Sequence, residues 1–462
     1  MIRKIVCGAG VLGASMFAAT AAWAAEATTT AVETVTDAAA AAPVAVAAVV
    51  EEVAAVPNPG NNAWMMTAAL LVLMMILPGL ALFYGGLTRS KNMLSTMTQI
   101  GAVTALAMIM WVVCGYGLAF GPEGNQFISW GKFFLAGVTP DSTAATFTDE
   151  VISEYVFISF QMTFSAITIA LVLGAVVERM KFAATMVFAV IWLLIVYYPI
   201  AHMVWEARGV FFAMGALDFA GGTVVHINAG VSALVAALIL GKRKGYPTEP
   251  MAPHSLTLTM VGTGLLWVGW FGFNAGSALE ANGSAALAMI NTFVATAAGA
   301  LAWMLIERLA GHKPSALGWC SGVIAGLVAI TPAAGNSGPF GAIVLGAVAS
   351  VVCFYFVSKV KPALGYDDTL DAFGIHGVGG IVGAIGTAIV FAPSLGGPGG
   401  DDYAMGGQLV TQTIAVITTI VLSTVGTAIA IYIAKALTGL RVSQEVEFEG
   451  LDIGEHGERA YN

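Results

Sequence analysis

Eleven apolar runs of about 20 residues, separated by short polar breaks, fill this chain from residue 63 onward. A helix needs that length to cross the ~30 Å hydrocarbon core of a bilayer. They lie near 64–86, 96–120, 152–177, 182–204, 219–241, 255–279, 284–307, 316–334, 339–358, 370–392 and 408–438. Breaks carry turn or charge signals such as Arg89-Ser90-Lys91 and Lys242-Arg243-Lys244. The runs are continuous rather than alternating, which excludes a transmembrane β-barrel. Charged residues make up 10% of the chain and hydrophobic ones 58%, against ~25% charged in a soluble domain. That leaves too little polar surface to cover a soluble core of this size. The fold class is an all-α polytopic membrane protein with eleven transmembrane helices.

The two ends read differently from the spans. Met1 to Ala24 combines Arg3 and Lys4, an apolar stretch and Ala22-Trp23-Ala24, the pattern of a secretory signal peptide cleaved after Ala24. An uncleaved first span is the rival reading. Residues 25–62 are Ala/Val/Thr-rich with scattered Glu, a low-complexity external leader. Residues 63–438 form the membrane domain, and 439–462 form a tail with apolar Val442, Val446, Phe448, Leu451 and Ile453 among charges. Such a set suggests docking against the cytoplasmic loops rather than free solvation.

Orientation follows from Lys and Arg, which are retained on the cytoplasmic side. Alternate breaks, the tail and the end of the last span (Lys435) hold fourteen of them, whereas the opposite breaks hold only Lys132 and Arg208. The expectation is a mature N-terminus outside and a C-terminus inside.

A repeat runs through the spans. The fifth holds Asp218 and His226, followed by Gly230; the tenth holds Asp371 and His376, followed by Gly380. The two His stand five helices apart, so the copies run in opposite senses. This predicts an inverted five-helix repeat, helices 1–5 and 6–10, plus helix 11, with the site near the midplane where the repeats meet. An isolated His in a span usually satisfies a structural hydrogen bond; two in matching repeat positions point to function. Burial favours neutral imidazole, and two neutral rings offer one N–H donor and one acceptor nitrogen along a dry path. Metal ligation would need a third ligand or a thiolate, which neither helix offers. Cys7, Cys114, Cys320 and Cys353 have no metal-ligand spacing. No basic run resembles a nucleic-acid patch, and no nucleophile–base pair suggests an enzyme.

From about Pro78 to Asn462 the sequence resembles the ammonium transporter (Amt/Rh) family, bacterial Amt type. The resemblance is carried by Pro78 to Gly86, Phe160 to Phe164, Ala201 to Trp205, Asp218 to His226, Trp270 to Ser277, Asp371 to His376, and the tail motif Glu449 to Asp452. It implies a homotrimer in the bacterial inner membrane, with one pore per subunit and a place in nitrogen metabolism. It also implies external recruitment of ammonium at Trp205, Phe164 and Ser277, a gate of Phe164 and Phe273, and twin pore histidines His226 and His376. Asp218 is then either the N-cap of helix 5 or a support for the cation site. The tail would couple subunits and receive a PII-type nitrogen-signalling protein. No cofactor or metal is implied.

The chemistry fits that substrate. Aromatic faces attract a small cation by roughly 0.5–2 kcal/mol, which cannot separate ammonium from potassium. Only ammonium can shed a proton and cross as a neutral molecule, while potassium faces the full cost of dehydration. The competing class is a membrane sensor signalling through its tail. A Rhesus-like gas channel is the nearer rival, but that pattern lacks the external Trp and Ser present here as Trp205 and Ser277.

Overall fold

The computed structural model describes residues 55–461; the signal peptide and most of the leader lie outside the described residues. Among the described residues eleven helices are long and apolar enough to cross a membrane. They are α1 (Pro59–Leu87), α2 (Ser90–Phe120), α3 (Glu154–Leu173), α4 (Phe182–Ala213), α5 (Gly222–Leu240), α6 (Leu256–Gly276), α7 (Gly283–Leu309), α8 (Ala316–Ala333), α9 (Pro339–Leu364), α10 (Phe373–Val390) and α11 (Met405–Thr438). Hydropathy thus counted the spans correctly, and the differences sit at their ends. α1 begins before residue 63, because Asn58 accepts hydrogen bonds from the Gly60 and Asn61 N–H groups and Pro59 opens the first turn. Ser255, Asn282 and Ser315 cap α6, α7 and α8 in the same way. In α4 the continuous helix stops at Trp205, where Glu206 is extended, and a short turn at Val210–Ala213 follows.

The α2–α3 connection holds two small antiparallel hairpins that the apolar pattern did not reveal. β1 (Glu123–Gly124) pairs with β2 (Ser129–Trp130), and β3 (Thr143–Ala145) pairs with β4 (Val151–Ser153). This hairpin face also carries the α4–α5 and α6–α7 connections, tied in by Arg208 to Gly121 and by Thr148 to Glu280. The opposite face carries the tail, with α12 (Gln444–Glu449) and α13 (Leu451–His456).

Charge, more than apolar burial, fastens the tail. Asp452 accepts from the Leu94 and Ser95 N–H groups at the start of α2 (3.1 and 2.7 Å). Glu447 accepts from the Lys244 N–H (2.6 Å) and, within the tail, from Arg441. Lys91 Nζ donates to the Phe448 carbonyl, and Leu451 N–H donates to Asn92 Oδ1. Of the apolar set read from the sequence, Val442 and Leu451 are buried, but Phe448 is 79% exposed. The anchors are carboxylates because helix N-termini and loop N–H groups are what this face offers.

Candidate functional site

Both histidines sit on π-helical turns, His226 in Gly222–Ile227 and His376 in Phe373–Gly377. Such turns widen a helix locally and are common at functional sites. Glycine then lets the two helices touch. A Cβ on Gly230 would stand 2.1 Å from the Gly377 nitrogen, and one on Gly380 would stand 3.0 Å from His226 Cβ. That close crossing stacks the imidazoles, with centroids 5.4 Å apart and Nδ1 facing Nδ1 at 3.3 Å.

The hydrogen-bond network assigns the protons. Thr331 Oγ1 donates to the Leu327 carbonyl at 2.8 Å and accepts from Trp270 Nε1 at 3.0 Å. Its remaining lone pair faces His226 Nε2 at 3.3 Å, so that nitrogen carries the hydrogen. A neutral His226 then presents a bare Nδ1 to its neighbour, and His376 must donate from its own Nδ1. The His376 Nε2 lone pair is left available. Thr331 and Trp270 were not identified as site residues from sequence; Trp270 opens a quoted motif, but Thr331 has no local signal.

Above the histidines Phe164 of α3 and Phe273 of α6 stack at 4.2 Å, with an interplanar angle of 23°. Phe273 lies 6.0 Å from the His226 ring, and Trp205 meets Phe164 edge-on at 5.5 Å. A lumen of ≈ 10 Å³ touches Phe273, His226 and His376 and is walled by Ile167, Leu171, Leu266 and Ile324. That is about the space of one water-sized molecule.

Two larger cavities lie on the two faces of the protein. The one on the hairpin face, ≈ 440 Å³, is lined by Phe120, Phe157, Phe164, Trp205, Asp218 and Ser277 among others. Trp205, Phe164 and Ser277, grouped by the family resemblance, line this one cavity. Trp205 Nε1 donates to the Asp218 carbonyl at 3.0 Å, which fixes the indole. Ser277 Oγ donates to the Phe273 carbonyl at 2.8 Å, so its lone pairs are free to accept. The cavity on the tail face, ≈ 460 Å³, reaches His376 and is lined by Tyr84, Arg243, Glu307, Lys361 and Asp371.

Asp218 turns its carboxylate into the start of α5. It accepts from the N–H groups of Gly221, Gly222 and Thr223 at 2.9, 2.5 and 2.9 Å, and from the Thr223 hydroxyl. In the tenth helix the matching residue is Asp368, not the Asp371 read from the sequence. Asp368 accepts from the Ala372 and Phe373 N–H groups at 3.0 and 2.8 Å. It precedes His376 by the same interval that separates Asp218 from His226. Asp371 has φ +58° and pairs with Lys361 at 2.6 Å. Sequence proximity favoured the nearer Asp; only backbone geometry shows which carboxylate faces a helix N-terminus. Burial pushes the Asp368 carboxyl above the ordinary aspartate range, against the pull of Lys361.

Below the site, Glu178 bridges Arg89 (2.9 Å) and Arg243 (3.0 Å), and Arg243 continues to Asp367 (2.8 Å). Burial would raise the Glu178 carboxyl, but Arg243 and Arg89 outweigh it and hold the group below the usual glutamate range. This network joins the turns after α1, α3, α5 and α9 beneath the tail-face cavity.

Residues 63–461 match the Ammonium Transporter Family. An ammonium transporter of Aquifex aeolicus is 49% identical over 409 residues, covering 87% of this chain and 93% of that protein. One from Bacillus subtilis is 45% identical, covering 87% and 98%. Among solved structures, Saccharomyces cerevisiae Mep2 is 36% identical with a TM-score of 0.76, covering 84% of this chain and 88% of that one. A structure titled "Sensor Amt Protein" is 28% identical with a TM-score of 0.78, covering 86% and 98%.

Proposed function

Because the chain belongs to the ammonium transporter family, we propose that it takes up ammonium by separating the ion from its proton before the narrow lumen. The hairpin face is then external and the tail face cytoplasmic, in line with the fourteen-to-two distribution of Lys and Arg. Ammonium enters the outer vestibule against the faces of Trp205 and Phe164, with Ser277 Oγ as hydrogen-bond acceptor. Asp218 contributes negative charge nearby while capping α5. Past the Phe164–Phe273 gate only a neutral molecule travels cheaply, because the walls offer no counter-charge. Ammonia can donate to the bare His376 Nε2, so the His226–His376 pair carries it toward the tail-face cavity. Potassium has no neutral form and stops at the gate.

One observation carries this reading: the Phe164–Phe273 stack adjoins the stacked histidines, and Phe273 and both histidines line one apolar lumen. The test is ammonium uptake into proteoliposomes with potassium as control. His226→Ala should abolish or alter ammonium-selective transport while the protein still folds; normal uptake with intact potassium exclusion would overturn the twin-histidine role.

The same reading extends to a homotrimer in the bacterial inner membrane, made after removal of residues 1–24. The docked tail is its regulatory element, with a PII-type protein engaging the cytoplasmic mouth lined by Arg243, Glu307 and Lys361.

A further inference from the structure

His202 lies in α4 one turn before Trp205 and is fully buried. Its Nδ1 stands 2.8 Å from the Ala119 carbonyl oxygen, and its Nε2 stands 2.7 Å from the Asn125 carbonyl oxygen. A carbonyl oxygen only accepts, and a neutral imidazole has a single N–H. Serving both carbonyls takes both ring protons. Turning the ring over would instead place C–H groups against them.

The neighbouring carboxylate is shared: Glu206 Oε2 is 4.0 Å from Nδ1, while its Oε1 pairs with Arg208 Nε at 3.0 Å. Arg208 also donates to the Pro122 and Gly121 carbonyls at 2.8 and 2.5 Å. The Ala119–Gln126 stretch packed against the ring contains one ionisable side chain, Glu123, which accepts from Trp130 Nε1 at 2.8 Å. Nearby on α2, Tyr116 donates to Glu154 and Cys114 to the Met110 carbonyl. His202 and Arg208 thus hold one segment by its carbonyls. Within that segment Phe120 lines the outer vestibule, edge-on to Phe157 at 5.2 Å.

We infer that His202 is a positioning residue that works as an imidazolium, tying Ala119 and Asn125 to α4 and so fixing Phe120 and Trp205 around the vestibule. The inference rests on reading that vestibule as the place where ammonium is recruited. When the ring loses a proton, a nitrogen lone pair faces a carbonyl oxygen and the segment loses a charge-assisted hydrogen bond. Apparent affinity then falls, while the lumen and its turnover are untouched.

Two measurements on the full-length protein decide it. The first is 15N spectroscopy of the histidine rings, with His202 assigned through its backbone link to Met203; both nitrogens should be protonated. The second is uptake into proteoliposomes, with KM expressed per ammonium ion. His202→Gln should raise KM on the order of tenfold, the factor one hydrogen bond to a charged group carries, with kcat unchanged. A ring with a single N–H, or an H202Q variant with wild-type KM, overturns the inference. Trp205→Leu is measured alongside: unchanged concentration dependence there would overturn the recruitment reading, while the ring spectrum still judges His202 by itself.

Discussion

Replacing Asp218 with Asn keeps the shape of the side chain and removes half of its function as an acceptor. One carboxylate oxygen serves the Gly221 and Gly222 N–H groups, and the other serves the N–H and hydroxyl of Thr223. In Asn one of those atoms becomes an NH2 group, a donor aimed at donors. At least two groups at the start of α5 then lose their partner. Each costs about 1–3 kcal/mol when buried, so the variant should lose roughly 2–6 kcal/mol. The damage is local: the start of α5 leads directly into the π-helical turn that holds His226. Thermal unfolding in detergent should show a lowered midpoint, and uptake should fall with it. Asp218→Glu, which keeps the charge but displaces the oxygens, should recover only part of both. If Asp218→Asn unfolds at the wild-type midpoint yet transports nothing, the capping argument fails and the carboxylate acts chiefly through its charge on the bound cation.

Glu178→Gln removes the carboxylate shared by Arg89 and Arg243 and should cost about 3–5 kcal/mol, as breaking a buried ion pair does. Because the folded state holds Glu178 below its ordinary range, wild type should lose this contribution as pH falls through and below the glutamate range, and the variant should lack that acid limb in thermal unfolding against pH. Deleting residues 442–462 should reduce uptake and weaken binding of a PII-type protein without preventing membrane insertion; full uptake with intact binding would reduce the tail to a solvated end. Reporter fusions after Lys244 should behave as cytoplasmic and those after Glu280 as external, and the reverse pattern would overturn the orientation.

Hydropathy is a local property, so the number of spans could be counted from the sequence, and lipid leaves an apolar run of that length little choice but helix. The twin histidines were legible because a polar ring is costly in a span and the repeat placed one in each half. The grouping of Trp205, Phe164 and Ser277 came from family resemblance, not from spacing. What the sequence did not carry is pairing between residues far apart along the chain. Thr331 sets the tautomer of His226 across 105 residues, and Asp452 caps α2 across 357. Asp368 rather than Asp371 answers to Asp218, since a helix N-terminus exists only once the backbone has turned. His202 reads in sequence as one more polar residue near a membrane boundary. It becomes a doubly donating ring only when the fold brings Ala119 and Asn125 to its two nitrogens, because hydrogen-bond direction is fixed by three-dimensional approach and composition does not encode it.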